Sequence, residues 1–354
     1  MIRPMLRLRS GIPICITAVL MLCSRAPSIA TMTPSMLYQK ALTAELDYSY
    51  HGRQFITEYR DDGRSVTFVT DVTHFAPDSF KIIYESPTHD AGRTIIEDGS
   101  QQWTYFPRSS TLLHRRQVLP LTRKQASAKY ELLKRNYSLT LDPIPTAVAG
   151  RKAFRLLISP RDQGGTVIKL WIDPDTGMVL RKEQYHSDGA FDTIMYFSDI
   201  SVDNRLRADD FSVSRLRSKK ARLVELSSAG ETVIKRADAS RYLGTTAVLP
   251  TNLGGFELQS VTIMHERRGP TLHLRYSDGL ASLSLFESSR SSKQASTIAH
   301  SHPVDMHASK PGRAVERYSY NLLNWDTARL NFTLIGDVRV DRLAGYADSL
   351  RVPG

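Results

Sequence analysis

Tyr276-Ser277-Asp278-Gly279-Leu280-Ala281-Ser282-Leu283-Ser284-Leu285-Phe286-Glu287 reads as the end of one strand, a tight turn and a second strand. Leu272, Leu274 and Tyr276 alternate before the turn, and Leu283 and Leu285 alternate with serines after it. Asp278-Gly279 suits a two-residue primed turn. Such a turn needs positive φ, which glycine takes at no steric cost and aspartate tolerates. The Leu, Phe and Tyr residues of this hairpin are expected to build a core of their own rather than a binding surface.

Around the hairpin the pattern extends in both directions. Gly254-Gly255-Phe256 opens a strand running to Met264, and Gly269-Pro270 turns into the hairpin. Residues 288–312 are rich in Ser, His and Lys without periodicity, which predicts a long loop. Strands are expected over 314–323 and 328–335. Leu343, Tyr346, Ala347 and Leu350 then mark one face of a closing helix over 338–350. Four strands, one loop and a helix give a small domain over 248–354.

The earlier part of the chain repeats the theme on a larger scale. Leu37, Ala41 and Leu42 predict a helix over 34–46. Period-two alternation follows, with Tyr48, Tyr50, Phe55, Val66, Phe68, Phe80, Ile82 and Tyr84, and turn signals about every ten residues. Thr122 is a natural N-cap for a second helix over 122–136, with Ala126, Tyr130 and Leu133 on its apolar stripe. Further strands are expected over 154–158, 167–172, 179–186 and 191–197. The turn Asp173-Pro174-Asp175-Thr176-Gly177 has Pro pre-set at its second position. Helix, meander, helix, meander predicts an α+β fold, a curved antiparallel sheet with helices against one face, over 31–200.

Residues 201–247 change character. Ten Lys and Arg residues crowd into a weakly periodic segment, which reads as a basic linker. One interpretation is a solvated connection. The functional one is a contact surface for an acidic peptide or a lipid phosphate, with Arg215, Arg217, Lys219 and Lys220 as the partner-binding candidates.

The chain has 354 residues, 41% of them hydrophobic, and a net charge of +11. That composition fits a folded protein of two domains. Its first 30 residues have the build of a signal peptide: Arg3, Arg7 and Arg9, then an apolar run from Gly11 to Cys23, then Ser28-Ile29-Ala30. Cleavage is expected after Ala30. Removing Arg3, Arg7, Arg9 and Arg25 with this segment lowers the charge from +11 to +7. A lipidated Cys23 fits less well, because the residue before such a cysteine is normally small and Leu22 is large. Both cysteines, Cys15 and Cys23, fall here. The exported chain would have no disulfide and no thiol nucleophile.

Chemical signals are sparse. His300, His302 and His307 share a polar stretch with Asp305, but their spacing matches no closed zinc pattern, and a solvated loop is the better reading. No nucleophile elbow, metalloprotease helix, P-loop or dinucleotide-binding glycine pattern occurs. The sequence therefore points to no enzyme, no metal, no cofactor and no nucleic acid. The aromatic residues are more suggestive. Phe80, Ile82, Tyr84, Trp103, Tyr105, Trp171 and Phe197 lie on the expected sheet. Either they fill an ordinary core, or the curved sheet encloses a lipid-sized hollow that they line.

Leu170-Trp171-Ile172-Asp173-Pro174-Asp175-Thr176-Gly177-Met178-Val179-Leu180-Arg181 and Met195-Tyr196-Phe197-Ser198-Asp199-Ile200, together with the opening hairpin, resemble the MucB/RseB regulators of the envelope-stress sigma factor. The first two stretches are also similar, more loosely, to lipoprotein carriers of the LolA type. The hairpin is the more specific of the three. The resemblance spans nearly all of the chain after residue 30.

The resemblance implies an unclosed antiparallel β-barrel with capping helices, as in lipoprotein carriers, followed by a smaller antiparallel-sheet-plus-helix domain. It implies a periplasmic, non-enzymatic protein that binds the periplasmic segment of a membrane anti-sigma factor and shields it from proteolysis. Lipid or lipopolysaccharide would release it; lipid, lipoprotein or lipopolysaccharide are its further expected partners, and a homo-oligomer is compatible with it. The alternative is a periplasmic lipoprotein or lipid carrier.

Overall fold

The computed structural model describes residues 32–350, except 61, 117–121, 163–164, 187, 203–204, 218–220, 227–230, 267–268, 291–300, 307–310 and 317–319. The expected signal segment with Cys15, Cys23 and Ala30 lies outside the described residues, as do Lys219, Lys220, His300 and His307. Among the described residues no helix is long and apolar enough to cross a membrane.

The first elements are α1 (Pro34–Asp47), β1 (Tyr50–Tyr59), β2 (Ser65–Phe75), β3 (Ser79–Ser86), β4 (Thr94–Asp98), β5 (Gln101–Phe106) and β6 (Thr111–Arg116). Next come α2 (Arg123–Asn136), β7 (Tyr137–Leu141), β8 (Thr146–Val148), β9 (Arg151–Pro160), β10 (Val167–Ile172), β11 (Val179–Tyr185) and β12 (Phe191–Val202). A 3-10 turn (Ala208–Phe211), α3 (Ser214–Arg217) and β13 (Arg222–Leu226) complete the first sheet. Its order is β13-β6-β5-β4-β3-β2-β1-β12-β11-β10-β9-β7, an open path in which β8 pairs with β9. Among the described residues of this sheet, the β13–β6 pair alone is parallel.

The chain then runs through β14 (Glu231–Val233), α4 (Ala239–Leu243), β15 (Asn252–Leu253), β16 (Phe256–Glu266), β17 (Gly269–Ser277) and β18 (Ser282–Ser289). It ends with β19 (His302–Val304), β20 (Gly312–Glu316), β21 (Asn321–Asp326), β22 (Leu330–Gly336) and α5 (Val340–Asp348). These strands make a second sheet, β14-β16-β17-β18-β22-β21-β20-β19, with β15 beside β16. By its internal contacts the chain from Thr33 to Gly354 is one unit containing both sheets.

The helices form where local chemistry asks for them. Thr33 caps α1 by accepting from the Met36 N–H, and Pro34 follows at its first position, where no N–H is needed. Thr122 and Gln125 form a capping box at the start of α2. Leu343, Tyr346, Ala347 and Leu350 are buried, as the spacing over 338–350 predicted.

Several sequence expectations are corrected. The segment 201–247 supplies a strand to each sheet, β13 and β14. Phe211 and Leu216 within it are buried, and that burial anchors it against the first sheet. The strand expected over 314–323 is the hairpin β20–β21, with Glu316 opposite Asn321. Its apolar alternation continues through the reversal with no Gly or Pro to mark it. Part of the expected loop 288–312 is strand: β19 pairs with β20.

The opening hairpin has a four-residue loop, since Ser277 pairs with Ser282. The Asp278 Oδ1 accepts from the Leu280 and Ala281 N–H groups, at 2.9 and 2.7 Å, and this side-chain turn replaces the primed turn. Gly279 does take positive φ, at 98°.

Candidate functional site

Alternation gives the first sheet two faces, and α1 and α2 cover one of them. Ala44 of α1 packs with Tyr50, Val72, Met178, Leu180 and Phe197. The His74 ring sits beneath the end of α1, with Nε2 2.7 Å from the Glu45 carbonyl. The turn after β10 seats the start of this assembly. Lys40 donates to the Pro174 and Asp175 carbonyls, at 2.7 and 2.5 Å. Gly177 has φ 81°, and a Cβ there would lie 2.7 Å from the Lys40 carbonyl oxygen. Asp173 is buried behind the turn. Burial alone would raise its carboxyl, but Arg151 and the Asp175 and Thr176 N–H groups hold it below the usual carboxylate range.

Beyond the reach of α1 the helix-side face stays half open. Register pairs Ile56 with Phe68 and Met195, Thr70 with Tyr84, and Val72 with Ile82. Ile56, Phe68, Ile82, Tyr84 and Met195 are all half-buried. The Phe68 and Tyr84 rings meet edge to face at 5.8 Å. The Arg93 guanidinium lies 3.6 Å from the Tyr84 centroid and 5.9 Å from that of Phe68. This is an apolar strip with a cation stacked at one end.

The other end of the strip is basic. Lys129 stands on the same stripe of α2 as Ala126, Tyr130 and Leu133, the residues that pack inward. Lys182 of β11 pairs with Met195 in register. Lys129 is open to solvent but closely surrounded by protein, as a group in a concavity would be. Burial pulls both lysines below the usual ammonium range. At Lys182, Asp192 opposes that pull and Lys129 adds to it.

The seven sequence candidates do not gather in one place. Phe80, Ile82, Tyr84 and Phe197 share the helix-side face, where Phe80 stacks on His74 at 4.2 Å. Trp103 and Tyr105 lie on the opposite face, since Trp103 pairs with Ile96 and Ile96 with Lys81. There they are covered by Phe211 and Leu216. Trp103 is stacked on His114 at 3.7 Å, and His114 Nδ1 is 2.7 Å from Glu225 of β13. Trp171 is half-buried under the Arg181 guanidinium, 5.1 Å from its ring.

Of the basic candidates, Arg217 lies over the Trp103 ring at 4.7 Å and covers it from solvent. The side chain of Arg215 lies outside the described residues. His302 is paired across strands with Glu316, 3.5 Å away. Among the described residues no group of three or more His, Cys, Asp or Glu is arranged to hold a metal ion.

Phe68, Arg93, Lys129 and Lys182 were missed by sequence reasoning as site residues. Phe68 was assigned only to a strand. A lysine on the apolar stripe of a helix was the one signal that could have singled out Lys129.

The two sheets meet through the opening hairpin. Tyr137 donates to Asp278 Oδ2 at 2.7 Å, and Asn136 Nδ2 donates to the Asp278 carbonyl at 2.9 Å. Burial, then the Asp278 carboxylate, push the Tyr137 phenol well above its usual range, so it stays a donor. A Cβ on Gly279 would collide with the Leu133 backbone. Arg135 also pairs with Glu257.

Residues 90–215 match the sequence model described as the MucB/RseB N-terminal domain. The chain carries a MucB/RseB family domain. Within it lie α2, β4–β12 and Arg93. The fold is similar to that in a structure of Pseudomonas aeruginosa MucA/MucB, with 17% identity and a TM-score of 0.58. The alignment covers 91% of this chain and 99% of that one. A structure of MucB in complex with MucA(peri) matches over the same shares at 17% identity, with a TM-score of 0.56. The likeness therefore extends past the matched domain into the second sheet. No curated protein matches the chain by sequence.

Proposed function

We propose that this chain is a periplasmic negative regulator of sigma-E-type signalling. It binds the periplasmic segment of a membrane anti-sigma factor and shields that segment from proteolysis. The observation that carries this reading is the MucB/RseB domain over 90–215, joined to a fold shared with MucB over 91% of the chain. The matched MucB structures are complexes with MucA, which supports a partner of the same kind. The reading makes the protein a binder rather than an enzyme.

The half-open strip supports a second element, release by lipid or lipopolysaccharide. Phe68, Ile82 and Tyr84 offer an apolar wall for acyl chains, while Lys129 and Lys182 offer positive charge for an acidic headgroup. A lipid that favours the partner-free form weakens partner binding by the same factor by which the partner weakens lipid binding.

The test is a pull-down of the protein with the periplasmic part of a MucA-type protein from the same organism, with and without lipopolysaccharide. Capture without lipid and loss of capture with it are expected. No capture in either condition would sink the regulator. Capture of acylated lipoprotein alone would favour a lipoprotein carrier.

A further inference from the structure

The segment that returns to the first sheet after β12 is held there in two unlike ways. Its first part is anchored by burial. Phe211 of the 3-10 turn and Leu216 of α3 share a cluster with Ile96, Trp103, Tyr105 and Leu112. The Phe75 and Phe211 rings approach to 6.1 Å. Its second part, β13, has little of this. Arg222, Leu223 and Glu225 are exposed, Leu223 by 49%. The strand has five residues and ends the path of its sheet. Among the described residues nothing pairs with its outer edge.

The hold of β13 on β6 is correspondingly light. The two run parallel, with Leu223 opposite Leu112 and Glu225 opposite His114. Glu225 Oε2 lies 2.7 Å from His114 Nδ1, but the Glu225 side chain remains 52% exposed. The other nitrogen of that ring, Nε2, lies 2.8 Å from Gln101 Oε1 of β5. The ring is buried and stacked on Trp103. Its orientation is therefore set by β5 rather than by β13. Without β13, β6 would present a defined edge: unpaired backbone groups, an apolar position at Leu112 and a ring nitrogen at His114.

Parallel pairing is slightly weaker per residue than antiparallel pairing, and the β5–β6 pair beside it is antiparallel. A short, exposed end strand is among the first parts of a fold to open. An extended chain entering antiparallel to β6 satisfies the same backbone groups in the stronger arrangement. To match the side chains it needs an apolar residue opposite Leu112 and, two residues away, a carboxylate opposite His114. Charge favours the same visitor. The stretch 205–226 carries seven Lys and Arg residues against three acids. Arg115 of β6 is exposed, and Arg217 of α3 lies over Trp103. Neither leaves with β13, so the vacated edge attracts an acidic segment.

We propose that β13 is an internal occupant of a strand-addition site on β6, and that an acidic, extended segment of the partner displaces it. Phe211 and Leu216 stay seated, and the chain after them swings out. That the partner is an anti-sigma segment rests on the function proposed above; the displaceable strand does not.

Cysteines occur in the chain only at positions 15 and 23. Leu113→Cys with Val224→Cys, a facing pair of β6 and β13, therefore adds one disulfide that locks β13 in place. The oxidised double variant is expected to bind the periplasmic part of a MucA-type protein about tenfold more weakly than the same variant after reduction, because the occupied site is closed to it. Val224→Pro weakens the pairing of β13 and should bind several-fold more tightly than the parent protein. Equal binding by the oxidised and reduced forms, or no gain in Val224→Pro, overturns the exchange and leaves the regulator standing. Absence of binding in every form sinks the regulator instead. Hydrogen exchange of the parent chain then decides on the strand itself. Amides of 221–226 exchanging about tenfold faster than those of β5 support a displaceable strand, and equal protection overturns it.

Discussion

The helix-side face of the first sheet and the core face of the second are built from the same parts, an antiparallel sheet with helices laid against it. They end in different states. On the second sheet, Leu272, Leu285, Leu323, Phe332 and Leu334 are fully buried. Phe332 is stacked on Trp325 at 5.1 Å, and α4 and α5 add Leu243, Leu343 and Ala347 to the same cluster. On the first sheet, Ile56, Phe68, Ile82 and Tyr84 are only half covered, because α1 and α2 span part of a much wider sheet. A closed core adds stability and fixes geometry. An apolar face left half open retains free energy of burial for a ligand to use. Under the proposed function, the second sheet would serve as scaffold and the open face of the first as the recognition surface.

The strongest way to break this comparison is to cut into the closed side. Trp325→Ala removes the largest fully buried side chain of the second core and is expected to cost about 3–5 kcal/mol in urea unfolding. A loss under about 1 kcal/mol would show that this core is not closed.

The next effect concerns an acid sealed into it. Glu287 is fully buried and accepts a 2.8 Å hydrogen bond from the Val248 N–H. Burial pushes its carboxyl up to about 8, with that hydrogen bond opposing. The folded form therefore binds the proton more tightly than the unfolded chain. The stabilising contribution is fully present below about pH 4.5 and is lost as pH rises towards 8. The loss over that window is on the order of 4 kcal/mol. Denaturant midpoints measured from pH 4 to pH 8 should fall in the parent protein and fall much less in Glu287→Gln.

Smaller is the effect of Gly279→Ala at the joint between the sheets. The added Cβ meets the Leu133 backbone at a residue with φ of 98°, and a cost of about 2 kcal/mol is expected. Its signature is a loss of protection in peptides from the end of α2 as well as from the hairpin.

Smallest in stability, and sharpest for the comparison, is Tyr84→Ala on the open side. Half-exposed and stacked under Arg93, Tyr84 should contribute only about 1 kcal/mol to folding. If the strip receives lipid, the same substitution should weaken binding to lipid vesicles several-fold at unchanged fold. Equal vesicle binding by the variant and the parent would remove this face from the recognition role.

Much of this was legible in the sequence. Capping at Thr122 follows from local chemistry, as do the three longer helices and most strands of the first meander. The hairpin at Tyr276–Glu287 was legible as a hairpin and as core. Its loop length was not, because Asp278 builds a side-chain turn where a primed turn would also fit. Trp103 and Tyr105 alternate like cavity-lining residues, but alternation does not say which side of a sheet is covered. Phe211 and Leu216 return from a hundred residues away to cover them. The same distance hid β13, whose parallel pairing with β6 leaves no local mark.

What the sequence alone determined is the set of periodic elements and turns, because φ preference, capping and alternation act within a few residues. What only the tertiary structure decided is which face each helix covers and which side chains from separate sheets meet. The strip around Phe68 and Tyr84, the Lys129–Lys182 approach and the contact of His186 with Asp192 and Asp337 all depend on register between strands remote in the chain. Register is set by how a whole sheet buries its apolar surface, a property that no short stretch of sequence carries.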